Sequence, residues 1–90
     1  MKNRNQIEFA GTYDYNKSSA ELFARMGITF SINIFKWLLT TDGKHLKASK
    51  CVVRVKGLSA KKQETFDMAD LVVNELNSNT WGGSKIVTVK

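Results

Sequence analysis

Lys50, Arg54 and Lys56 occupy even positions of Lys50-Cys51-Val52-Val53-Arg54-Val55-Lys56, and Cys51, Val53 and Val55 take the odd ones. In an extended chain this alternation sends the cations to one face and the apolar side chains to the other, with same-face neighbours about 6.6–6.8 Å apart. That step is close to the spacing of phosphates along an extended single strand, so the cations suit a polyanion. Phe35 and Trp37 are candidate stacking residues for the same chemistry. Bases stack on aromatic rings for about 1–3 kcal/mol each while cations follow the phosphates.

The basic character is concentrated rather than spread. Lys36, Lys44, Lys47, Lys50, Arg54, Lys56, Lys61 and Lys62 face a lone Asp42, which gives residues 36 to 62 a net charge of +7 within a whole-chain charge of +6. Glu64, Asp67, Asp70 and Glu75 follow in a stretch without a base. Such segregation draws a polyanion or an acidic protein surface to one side of a molecule. These eight cations form the candidate docking set.

Other chemistry is poorly supplied. One cysteine, Cys51, and one histidine, His45, leave neither a disulfide framework nor a Cys/His zinc site, and no metal or other cofactor is expected. Cys51 reads as a small buried hydrophobe and His45 as a solvated residue beside a turn. Lys61 and Lys62 fall in the first turn of an expected helix, where the macrodipole disfavours cations by about 0.3–1 kcal/mol each. Either a bound anion offsets that cost or the lysines are simply solvated. The indole of Trp81, before Gly82 and Gly83, either meets a partner or tucks its loop against the sheet. No small-molecule substrate is implied.

The elements that must position these residues follow from periodicity. Ninety residues, with Leu, Val, Ile and Phe making up 24 of them, suffice for a single domain over 1–90 with one core. Gln6 to Tyr15 alternates with the period of a strand, with a bulge expected at Gly11. Ser18 and Glu21 have capping-box spacing and predict a short helix over Ser19 to Met26 that buries Leu22, Phe23 and Met26, with Gly27 as its stop.

From Ile28 the alternation returns, with Ile28, Phe30, Ile32 and Ile34 on one face. Asp42-Gly43 suits a two-residue hairpin turn. That turn pairs Ile34 with Cys51, Ile32 with Val53 and Phe30 with Val55, leaving Ser31, Asn33, Phe35 and Trp37 beside Lys50, Val52, Arg54 and Lys56 on the other face. Phe35 then opposes Lys50, and Trp37 opposes Ala48. A bulge near Ile34-Phe35 is the alternative, and it turns Phe35, Trp37 and Leu39 inward. Ser59 is the expected cap of a second helix over Ala60 to Asn77, which buries Phe66, Ala69, Val73 and Leu76. Lys85 to Val89 forms the last strand.

The order strand-helix-strand-strand-helix-strand predicts an α+β, ferredoxin-like domain: a four-stranded antiparallel sheet with both helices on one face. A different antiparallel sheet with one long helix is the alternative. With no leader and no apolar run long enough to span a bilayer, the expectation is a cytoplasmic protein that makes no membrane contact.

This order is similar to that of RNA-recognition-motif domains, although Ala48 to Val55 lacks their Gly-aromatic-Gly-aromatic pattern. Acylphosphatases share the arrangement, but Tyr13-Asp14-Tyr15-Asn16-Lys17-Ser18 is no Gly-rich phosphate cradle, and the chain is expected not to be an enzyme. A proline-free, Lys- and Asn-rich single domain also resembles, in format and without any shared residue motif, accessory proteins of phages and mobile elements. Anti-CRISPR inhibitors are among them. The resemblance implies docking on a host nucleoprotein complex; the alternative is a regulator that binds single-stranded RNA or DNA.

Overall fold

The computed structural model describes residues 7–90. The elements are β1 (Tyr13–Asp14), α1 (Lys17–Met26), β2 (Thr29–Leu39), β3 (Leu46–Ala48), β4 (Val53–Leu58), α2 (Lys62–Asn77) and β5 (Ile86–Thr88), with 3-10 turns at Ile7–Phe9 and Ser59–Lys61. The α+β class is as expected. The sheet is not the four-stranded antiparallel one: it is mixed and five-stranded, ordered β1-β2-β4-β5, with β3 also on β2. All pairings are antiparallel except β4 with β5, which α2 connects in parallel. A helical crossover returns the chain in its original direction, and here β5 pairs directly with β4 instead of crossing the sheet.

The hairpin register holds at its tip and changes further along. Trp37 opposes Ala48 and Leu39 opposes Leu46, as the Asp42-Gly43 turn requires, although the ladder opens into a wider loop between Leu39 and Leu46. Beyond the tip, Ile34 pairs with Val53, Ile32 with Val55 and Phe30 with Gly57, two residues off the expected partners. The slip is absorbed at Ser49–Val52. There the Lys36 amide donates to Ser49 Oγ, and the Val52 amide donates to the Ile34 carbonyl. Two extra residues restore the side-chain parity that a one-residue bulge reverses. The apolar face therefore survives: Phe30, Ile32, Ile34, Val53 and Val55 are all buried. Cys51, expected against Ile34, falls in the extra loop and is exposed.

Phe66, Ala69 and Val72 of α2 close the core over this face, with Thr65 fully buried beside them, while Val73 and Leu76 are half-buried. α2 starts at Lys62, later than expected, because Ser59 is diverted from capping: its Oγ donates to the Gly27 carbonyl and its amide to the Ile28 carbonyl. Gly57 lets α2 approach, since a Cβ there would run into the Thr65 side chain.

The N-terminal part departs most from expectation. Gln6 lies outside the described residues, and the expected strand from there to Tyr15 is reduced to Tyr13–Asp14. Gly11 adopts φ +85°, a left-handed geometry suited to glycine, and the Phe9 carbonyl accepts from both the amide and the hydroxyl of Thr12. α1 begins at Lys17, two residues before the expected start. Its cap is Asn16, whose Oδ1 accepts from the Ser19 amide at 3.0 Å. It packs on β2 through Ala20 and Ala24 and leaves Leu22, Phe23 and Met26 exposed. Ile28 is exposed as well, because β2 starts only at the following residue.

Candidate polyanion-docking face

Strand alternation in β2, β4 and β5 sets the face opposite α2. Ser31 opposes Lys56 and Asn33 opposes Arg54 across the antiparallel ladder, while Arg54 aligns with Ile86 and Lys56 with Thr88 across the parallel one. Arg54 and Lys56 are exposed, and the Arg54 Nε donates to Asn33 Oδ1 at 3.0 Å. That bond uses one of five guanidinium donors and leaves the rest of the fork for a ligand. Among the described residues the only ion pair joins His45 to Asp42 at the hairpin tip, so neither Arg54 nor Lys56 is neutralised by a carboxylate. In contrast, Glu64, Asp67 and Asp70 are exposed on α2, behind the sheet. Arg54 and Lys56 thus lie on the opposite side of the sheet from the acids of α2.

The eight candidate cations are not gathered on one face. Arg54 and Lys56 share the open face. Lys50 is exposed in the loop between β3 and β4, no longer in line with them or opposite Phe35. Lys36 opposes Tyr13, with its ammonium 5.5 Å from that ring's centroid, and Lys47 opposes Leu38, which assigns both lysines to the other face. Lys44 is exposed near the hairpin tip. Lys61 is half-buried in the 3-10 turn, where its carbonyl accepts from Thr65 Oγ1, and Lys62 opens α2. No side chain caps the α2 start.

Phe35 and Trp37 remain on the open face because β2 runs without a bulge; the irregularity is on the partner strand. Both rings are half-buried and meet edge to face, with centroids 4.8 Å apart. The Trp37 indole N–H donates to Asp14 Oδ2 at 3.4 Å, and Asp14 is the residue opposite Phe35. Trp81 packs against the core, and a Cβ on Gly83 would strike its ring, so this indole is a loop anchor.

Three relationships on the face were not expected from the sequence, although Asn33 itself was placed there. Asn33 orients Arg54, Thr88 lies beside Lys56, and Phe23 of α1 lines a small cleft with Ser31 and Asn33. Phe23 is exposed, as are Leu22 and Met26 on the same helix and Ile28 just after it. Among the described residues no group of His, Cys, Asp or Glu is arranged to hold a metal ion, and no helix is long and apolar enough to cross a membrane.

In comparison with known proteins, the chain matches no family model, no curated protein and no solved structure.

Proposed function

We propose that this protein is a non-catalytic, basic binding protein that docks its open sheet face on a nucleoprotein complex, most concretely as a phage-type inhibitor of a host CRISPR–Cas surveillance complex. The observation that carries the reading is the unneutralised pair Arg54 and Lys56 on the open face, with the exposed acids of α2 on the far side. This polarity orients the molecule in the field of a polyanion before contact. The exposed Phe23 of α1 borders the same face and matches the protein part of a mixed target, since phosphates alone have no use for it.

A regulator of free single-stranded nucleic acid is the second reading, and the position of Phe35 and Trp37 on the open face favours it. Against it, the indole N–H is already engaged by Asp14.

A pull-down from the native host, with half of each sample treated with nuclease, separates the two. Retention of a multi-subunit partner after nuclease by the parent protein, and its loss in Arg54→Glu/Lys56→Glu, supports docking on the complex. Release of all partners by nuclease supports the free nucleic-acid reading.

A further inference from the structure

Both strands of the parallel pair end at a depression of about 390 Å³, lined by Thr29, Lys56, Gly57, Leu58, Thr88, Val89 and Lys90. The volume falls within the range of ordinary small-ligand pockets, about 300–1,000 Å³.

Most of its exposed lining is apolar, with a few polar groups set into it. Leu58 is 40% exposed and supplies the apolar wall on the open face, while Val89, also at the depression, packs against the core. Lys56 and Lys90 supply two cations. Thr29 and Thr88 each supply a hydroxyl, donor and acceptor at once, that has no protein partner among the described residues. Leu58 is the ladder partner of Thr29, and Thr88 that of Lys56, so all four share the open face.

From this juxtaposition we infer that the depression binds one nucleotide unit of a single-stranded segment. The base lies on Leu58, its polar edge meets the threonine hydroxyls, and its phosphate is held by Lys56 and Lys90. Arg54 lies two residues back along β4, about 6.6–6.8 Å away, where the neighbouring phosphate of a continuing strand would sit. A long-chain fatty acid fits less well, because the lining offers two hydroxyls and an open depression in place of an apolar tunnel. For its biological meaning the inference rests on the docking reading, and it names the chemical unit that reading would place here.

The test is an NMR titration of the full chain with uridine monophosphate, uridine, inorganic phosphate and decanoate. The nucleotide is expected to shift the signals of Thr29, Leu58, Thr88 and Lys90 saturably, and to bind about tenfold or more tightly than phosphate or uridine alone, a difference of about 1.4 kcal/mol. Lys90→Glu and Leu58→Glu should each weaken it several-fold, while Lys47→Ala, on the other face of the sheet, leaves it unchanged. Lys90→Glu keeps the test informative if Leu58→Glu fails to fold. The inference is overturned if phosphate alone binds as well, if decanoate binds more tightly through the same residues, or if the nucleotide shifts only Lys50 and Arg54. Failure of the docking reading is scored separately, as retained partner capture by Arg54→Glu/Lys56→Glu.

Discussion

The side chain of Arg54 is held by Asn33: the two are direct partners in the β2–β4 ladder, and the Arg54 Nε donates to the Asn33 Oδ1 at 3.0 Å. A surface arginine otherwise gives up considerable rotamer freedom on binding, so a fixed guanidinium lowers the entropic cost of contact. Asn33→Ala should weaken partner binding about two- to fivefold, while changing stability by no more than about 0.5 kcal/mol, the ordinary range for a surface site. Asn33→Asp should weaken binding further, because it neutralises the cation. Binding assays alongside thermal unfolding check both; an affinity untouched by either substitution would remove Arg54 from the interface.

The two-residue slip in register has a measurable consequence for stability. Ile32 and Val55 are ladder partners and essentially fully buried, so Ile32→Ala should cost about 2–5 kcal/mol, with non-additive coupling to Val55→Ala. Cys51→Ala should be nearly neutral, because that side chain is exposed. Equilibrium denaturation of the four variants distinguishes this register from one that buries Cys51 against Ile34.

These residues also show what the sequence made legible. Alternation identified the buried face of β2 and β4, since Phe30, Ile32, Ile34, Val53 and Val55 all point inward, and turn chemistry identified the tip pair Trp37–Ala48. The Ser49–Val52 insertion was invisible because an even number of extra residues leaves alternation unchanged. The parallel β5 was equally hidden: three exposed or half-buried residues carry no signal for strand direction, so Thr88 could not be placed beside Lys56. In α1, periodicity pointed to Leu22, Phe23 and Met26, yet Ala20 and Ala24 are the residues buried against β2. Of the candidate site, Arg54 and Lys56 were legible as a pair. The separation of Lys36 and Lys47 from them depends on which residues the short β1 and β3 strands oppose.

Gly57 offers a test of how α2 is seated. The Thr65 side chain occupies the space a Cβ would need, so Gly57→Ala should destabilise the protein by about 1–3 kcal/mol through overpacking. Thr65→Ala in the same chain should recover part of that loss. Strict additivity of the two substitutions would contradict the close approach.

Tyr15 adds a pH dependence at alkaline values. Burial raises its pKa above the ordinary value of 10.0, and the hydrogen bond its hydroxyl donates to Asp70 Oδ1 at 2.7 Å raises it further. The pKa is higher in the folded state than in the unfolded one. The corresponding stability is therefore fully present below about pH 10 and declines as pH rises beyond it. Tyr15→Phe should flatten the alkaline limb of a stability–pH profile measured by denaturant melts, whereas identical limbs in parent and variant would exclude this linkage.

The central claim, that the open face neutralises phosphates through Arg54 and Lys56, is tested most directly by the salt dependence of binding to a defined single-stranded RNA oligonucleotide. Each lost phosphate contact on a single strand removes about 0.7 from the log–log slope of affinity against salt, so Arg54→Ala/Lys56→Ala should shallow it by about 1.4. Asp67→Lys/Asp70→Lys, on the opposite side of the sheet, should leave affinity unchanged or slightly raised. An unchanged slope and affinity in the Arg54/Lys56 variant, or a loss of binding in the Asp67/Asp70 variant with its fold intact, would contradict the account.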